Sequence, residues 1–183
     1  MKGFISQLRP GSSVAVIGIG GLGTYAVQFL KLLTSARIIA VDNADSRLKT
    51  ASELGSDAEV LSDSNAETGI RNVTGGRGVD AVLDLVGCDQ TLQLSARVIR
   101  PQGYISVVGM QGGSVRLGWN LMATSSKFAL SLGSTHKDLR EVCQLASDGK
   151  LRIDIDKFGF DQIPEAYDRL RKGQLKGRAV IVI

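Results

Sequence analysis

Residues 14–31 read VAVIGIGGLGTYAVQFLK. Val14 to Ile17 form an unbroken apolar run, the pattern of a strand covered on both faces of a parallel sheet. Gly18, Gly20, Gly21 and Gly23 follow. Then Leu22, Ala26, Phe29, Leu30 and Leu33 recur at helical spacing. A strand thus passes into a helix through a turn almost free of side chains. Such a turn lets backbone approach a ligand closely, and the helix N-terminus beyond it offers unpaired N–H groups to an anion. A tight strand-to-helix turn without a ligand has the same local pattern, so the surrounding chain must decide.

Outward from this turn, strand and helix signals alternate. Arg37 to Val41 reads as a second strand closed by Asp42, and Asp45 is expected to cap a helix carrying Leu48, Ala51 and Leu54 inward as far as Gly55. A short strand follows near Glu59 to Leu61, then a helix with Ala66, Ile70 and Val73 on one face, ended by Gly75 and Gly76. Val79 to Leu85 is a fourth strand. Leu92, Ala96 and Ile99 mark a helix that Pro101 and Gly103 are expected to stop before a strand from Tyr104 to Val108. The segment GMQGGSVRLGWN, from Gly109, reads as a loop, and Phe128 to Leu132 as a further strand. After it comes a helix with Leu139, Val142 and Leu145 inward, then Ile163, Ala166, Tyr167 and Leu170 on another helix face, and a terminal AVIVI strand. Repeated strand–helix units with short turns predict an α/β fold, a doubly wound parallel sheet with helices on both faces, the Rossmann arrangement.

The length of 183 residues suits one domain with a substantial core, or a domain plus an appendage. With 43% apolar and 22% charged residues the composition is that of an ordinary soluble protein. A net charge of +4 is scattered except for short clusters such as Arg169, Arg171, Lys172 and Lys176, and aromatics make up only 5%, which argues against a nucleic-acid surface. Cys88 and Cys143 stand far apart with no neighbouring histidine, so they read as reduced thiols in or near the core, not as a disulfide or zinc site. The single histidine, His136, reads as a surface or capping residue at a helix start. No leader-like segment precedes residue 14 and no apolar run nears membrane-spanning length. These features predict a cytoplasmic protein with no membrane partner.

The glycine turn sits after the first strand and opens the first helix, the context a dinucleotide fingerprint requires. The second requirement is an acid about twenty residues on to bond the ribose hydroxyls of NAD. Asp42 stands nineteen residues past Gly23 at the end of the second strand. It is either that acid or a turn aspartate. Asn43 follows it, with no adjacent arginine or lysine to receive a 2′-phosphate, so NAD is expected over NADP.

Six blocks in order, LRPGSSVAVIGIGGLG, IIAVDNADSRLKTASELGSD, GGRGVDAVLDLVG, RPQGYISVVG, LSLGSTHKDLREV and KGRAVIVI, cover essentially the whole chain. Through them the sequence resembles the coenzyme-binding part of the NAD-dependent, zinc-type medium-chain alcohol dehydrogenases. The resemblance implies that Gly20, Gly21 and Leu22 line the pyrophosphate between Gly18 and Gly23, and that Asp42 holds the adenosine ribose. It implies that Arg47 reaches the same end, though the residue alone reads equally as a solvated helix side chain. Val86 and Gly87 border the adenine and ribose side, or simply end a buried strand. Val108 and Gly109 meet the nicotinamide end, with Leu132 through its backbone, and Arg178 reaches the pyrophosphate from the tail.

The same resemblance implies two regions: residues 1–134 as the NAD-binding domain, and residues 135–183 as a return segment that in the family packs on a catalytic domain. The zinc ligands and most of the substrate pocket are expected in that catalytic half, outside this chain, so no catalytic residue and no metal ligand is assigned here. Hydride transfer between an alcohol and an aldehyde or ketone is the activity of the complete enzyme, and this chain alone is expected to bind cofactor without turnover. A homodimer is expected through the edge strand Phe128 to Leu132. Two rival readings are an NADPH-dependent quinone reductase fragment, against which Asp42 argues, and a stand-alone NAD-sensing module.

Overall fold

The computed structural model describes residues 2–175 and 177–183; Lys176, placed above in a basic cluster, lies outside the described residues. The chain divides into two compact units, residues 1–133 and 134–183.

In the first unit, a short helix α1 (Lys2–Ile5) precedes β1 (Ser13–Ile17), α2 (Gly23–Leu33), β2 (Arg37–Asp42), α3 (Asp45–Glu53) and β3 (Ala58–Leu61). Then come α4 (Ala66–Val73), β4 (Val79–Asp84), α5 (Asp89–Val98), β5 (Ile99–Val107) and β6 (Lys127–Leu130). The six strands form one sheet in the order β3-β2-β1-β4-β5-β6, and every pairing is parallel. The order reverses between β1 and β4, which is where such a sheet opens a crevice at its carboxyl edge.

Alternate residues of the central strands feed two cores. Val14, Val16, Ile38, Ala40 and Leu83 pack with Val27 and Leu30 of α2 on one face. Ala15, Ile17, Ile39, Val41, Val82 and Ile105 pack with Ile70 and Leu92 on the other. All five residues of β1 are buried, which is why its sequence is apolar without alternation. At the amino edge Asp80 is a staple. It accepts from the Ser13 N–H (2.8 Å) and hydroxyl (3.0 Å), from Arg100 Nε (2.5 Å) and from Arg77 Nη2 (2.9 Å). Burial pushes its carboxyl up, but the Ser13 backbone bond, the two guanidiniums and the Ser13 hydroxyl outweigh it and hold the group at about 2.

Three local expectations are corrected. Ala44, not Asp45, is the N-cap of α3, and Asp45 lies in the first turn, where its charge suits the helix dipole. Ile99 does not belong to the preceding helix: it opens β5, and Pro101 and Gly103 lie within that strand's span. Ile99 pairs with Val79 and the next partner pair is Ala81 with Tyr104, so the intervening residues bulge out, with Gln102 at φ 63°. The proline therefore occupies a position that donates no ladder bond. The edge strand β6 ends at Leu130, so Leu132 lies beyond it.

The second unit contains α6 (His136–Ser147), β7 (Ile155–Gly159), a short 3₁₀ turn, α7 (Ile163–Arg171) and β8 (Arg178–Val182). The terminal apolar strand pairs in parallel with β7 in a two-stranded sheet. Helix α6 begins at a reciprocal cap between Thr135 and Asp138, with His136 exposed as its first residue. The expected inward face of α6 is not found: Leu139 and Val142 are exposed and Leu145 is half-buried. Cys143 is exposed on the same helix, and Cys88 is half-buried, so neither is a fully buried core thiol.

Candidate functional site

The glycine turn leaves β1 at the switch point. Gly18 has φ +91° and donates its N–H to the Val41 carbonyl at 2.8 Å. A β-carbon at Gly18 would lie 2.5 Å from Val86 Cγ2, and one at Gly23 would lie 2.1 Å from the Gly18 carbonyl oxygen. These two positions exclude side chains for packing reasons. Gly20 is different: nothing lies within 4 Å of a β-carbon placed there, so its bareness leaves open space above the turn. The N–H groups of Gly20, Gly21 and Leu22 donate to no acceptor among the described residues. Leu22, the N-cap of α2, is 48% exposed and has no side-chain cap bond. Free donors, open space and a helix N-terminus together suit an anionic group such as a pyrophosphate.

Asp42 ends β2 beside this turn and is buried. Its Oδ2 accepts the Ile19 N–H at 2.7 Å, its Oδ1 accepts the Ala44 N–H at 3.0 Å, and Arg47 Nη1 stands 3.6 Å from Oδ1. A carboxylate has about four acceptor positions, so roughly two remain once the backbone bonds are made. The sequence reading missed this first duty: Asp42 ties the glycine turn to β2 before any ligand is considered. No cation adjoins Asp42 along the chain, but Arg47, one helical turn into α3, stands against the carboxylate.

Across the crevice, the residues after β4 and β5 interlock. Asp84, wholly buried at the end of β4, accepts the Val86 and Gly87 N–H groups on Oδ1, each at 2.9 Å. Its main-chain carbonyl accepts from Val108 (2.8 Å) and Gly109 (3.1 Å). A β-carbon on Gly87 would sit 2.2 Å from the Gly109 carbonyl oxygen, and one on Gly109 would sit 2.1 Å from the Val86 carbonyl carbon. Val86, Gly87, Val108 and Gly109 are thus brought together, and Val86 touches the glycine turn. Asp84 was not singled out from sequence. Its signal is an acid closing the strand after the apolar run Ala81 to Leu83, the same placement as Asp42 in β2.

Beside Leu22 and Val108 a half-open cavity of about 380 Å³ is also lined by Tyr25, Phe29, Leu85 and Tyr104. Leu132 is 86% exposed past the end of β6, next to Ser131, whose N–H bonds the Val107 carbonyl at 2.8 Å. Arg178 stands at the start of β8 in the second unit. Among the described residues no group of three or more His, Cys, Asp or Glu side chains could hold a metal ion, and no helix is long and apolar enough to cross a membrane.

The profile of the zinc-binding dehydrogenase family matches residues 21–148. The chain is 35% identical over 183 residues to an NAD-dependent alcohol dehydrogenase of Sulfolobus acidocaldarius, covering 98% of this chain and 53% of that protein. It is 34% identical over 175 residues to a D-arabinose 1-dehydrogenase (NADP(+)) of Saccharolobus solfataricus, covering 92% of this chain and 48% of the relative. The crystal structure of the alcohol dehydrogenase from Aeropyrum pernix superposes with a TM-score of 0.92 at 35% identity, over 100% of this chain and 53% of that one. The chain spans about half the length of the relatives it matches.

Proposed function

This chain belongs to the zinc-binding dehydrogenase family, and on that premise we propose that it is the NAD-binding part of an alcohol dehydrogenase-like oxidoreductase. The observation that carries the reading is the row of unpaired N–H groups from Gly20 to Leu22 beside the buried carboxylate of Asp42. The pyrophosphate lies over Gly18, Gly20, Gly21, Leu22 and Gly23, and the adenosine ribose takes the remaining acceptor positions of Asp42 with Arg47 alongside. Val86 and Gly87 border the ribose side. Val108, Gly109 and the backbone of Leu132 meet the nicotinamide, with the apolar recess below Leu22 and Val108 beside them. Residues 1–134 form the nucleotide domain and residues 135–183 the return segment.

Bound NAD accepts or supplies a hydride; the protein's share in this chain is to bind it, orient it and exclude water from it. The small alcohol, or its aldehyde or ketone, and the zinc belong to the complete enzyme, which works in the cytoplasm.

The cofactor test must respect the two duties of Asp42. Asp42→Ala loosens the glycine turn and lowers affinity for every dinucleotide, so the informative quantity is the ratio of NADH to NADPH affinity. Titration by cofactor fluorescence is expected to favour NADH in the wild type by about 2–4 kcal/mol, from charge-assisted ribose bonds and repulsion of a 2′-phosphate. That ratio is expected to collapse in Asp42→Ala. Equal affinities in the wild type would sink the ribose role assigned to Asp42.

The homodimer forms along β6. Ser131 N–H bonds β5, so in a parallel ladder the N–H of Leu130, itself 80% exposed, faces the open edge. Leu130→Pro removes a donor to a partner strand and none to β5. Light scattering is expected to show a dimer that becomes a monomer in this variant. A wild-type monomer at high concentration, or a dimer indifferent to the proline, would reject this interface.

A further inference from the structure

We infer that Asp84 is a positioning residue that sets the β4 wall of the crevice, Val86 and Gly87 on the ribose side, and through it the β5 wall, Val108 and Gly109 at the nicotinamide, an inference that rests on the nucleotide-binding reading. One buried residue gathers four backbone N–H groups from two loops: Val86 and Gly87 on its side-chain Oδ1, Val108 and Gly109 on its carbonyl. The loops have no slack between them, because Gly87 and Gly109 each face the other loop's backbone too closely for a β-carbon. Val86 in turn fills the space that a side chain on Gly18 would need. A small movement of Val86 and Gly87 therefore reaches Gly109 on one side and the glycine turn on the other.

The second carboxylate oxygen shows why an acid is kept there. Asp84 Oδ2 is buried and has no hydrogen-bond partner among the described residues. An idle oxygen in an apolar wall is unfavourable, and a leucine of similar size would avoid it. What aspartate supplies and leucine lacks is the pair of bonds that fixes the Val86 and Gly87 amides. Asp84 itself is wholly buried. Its action on a ligand is carried by those four residues.

The test compares Asp84→Ala and Asp84→Asn with the wild type, using NADH, which spans both halves of the crevice, and AMP, which occupies only the adenosine half. Asp84→Ala is expected to weaken AMP about threefold through Val86 and Gly87, to weaken NADH at least tenfold because NADH also meets Val108 and Gly109, and to reduce the blue shift of bound NADH fluorescence. Asp84→Asn keeps one acceptor oxygen and is expected to restore NADH to within threefold of wild type. Independently of any ligand, the Val86 and Gly87 amides of the wild type are expected to exchange slowly by NMR. Equal loss for both ligands, no loss, no rescue by asparagine, or fast exchange of those amides overturns the inference. If Asp84→Ala does not fold, the asparagine variant and the exchange rates decide. A wild type that binds no NADH overturns the nucleotide reading and this inference with it. A wild type that binds while Asp84→Ala binds equally well overturns this inference alone.

Discussion

In residues 1–133 the strands β1, β2 and β4 have almost no exposed side chain, and Val27, Leu30 and Ile70 from the covering helices are wholly buried. In residues 134–183 the helices are as amphipathic in sequence, yet Leu139, Tyr167 and Leu170 are 57–59% exposed and Leu151, Phe158 and Ala166 are the buried apolar side chains among the described residues. The contrast separates two things that a hydrophobic pattern is taken to say at once. A helix stripe states that a face is apolar. Only a covering layer makes that face a core, and the six-stranded sheet of the first unit has covering helices while the two-stranded sheet of the second is too small to supply one.

This contrast can be broken by truncating matched leucines. Leu30→Ala, at a wholly buried site in α2, is expected to destabilise the first unit by about 3–5 kcal/mol. Leu139→Ala, at an exposed site in α6, is expected to change stability by less than about 0.5 kcal/mol. Urea unfolding followed by circular dichroism measures both. A large effect at Leu139 would mean that its face is covered in solution and that the two regions do not differ as described.

Glycines sharpen the same comparison. Gly23→Ala drives a β-carbon into the Gly18 carbonyl and is expected to cost about 3 kcal/mol and to abolish detectable NADH binding. Gly149, with φ +66° and nothing within 4 Å of an added β-carbon, is expected to lose only about 1 kcal/mol on replacement by alanine. Thermal melts and cofactor titration of the pair separate backbone crowding from left-handed strain.

Acid should discriminate next. Asp80 has its carboxyl at about 2 against an ordinary 3.8, so its ion pairs stabilise the first unit above about pH 4. That contribution, about 2 kcal/mol, is lost as pH falls through the folded value near 2. Asp80→Asn is expected to be less stable at pH 7 and to show a flatter stability curve between pH 4 and 2. An unchanged slope in that window would remove the staple from the account.

The legible part of the molecule was the part governed by local rules. The glycine turn, the buried strands and Asp42 could be read because each follows from spacing along one segment. Asp84 could not, since its meaning depends on Val108 and Gly109, more than twenty residues away just past the end of the next strand. The start of β5 was hidden for a related reason. Pro101 and Gly103 are stop signals in sequence, and only the register slip against β4 shows that the chain bulges around them and continues as strand. The bond from the Ile19 N–H to Asp42 was equally silent, because it arises only when the glycine turn folds against the end of β2.

The central claim is that the first unit carries the dinucleotide site. Hydrogen exchange of the whole chain by mass spectrometry, with and without saturating NADH, tests it most directly. Slower exchange is expected in the segments holding Gly18–Gly23, Asp42–Arg47, Val86–Gly87 and Val108–Gly109. Protection concentrated in α6 and α7, or none in the glycine turn, would contradict the account.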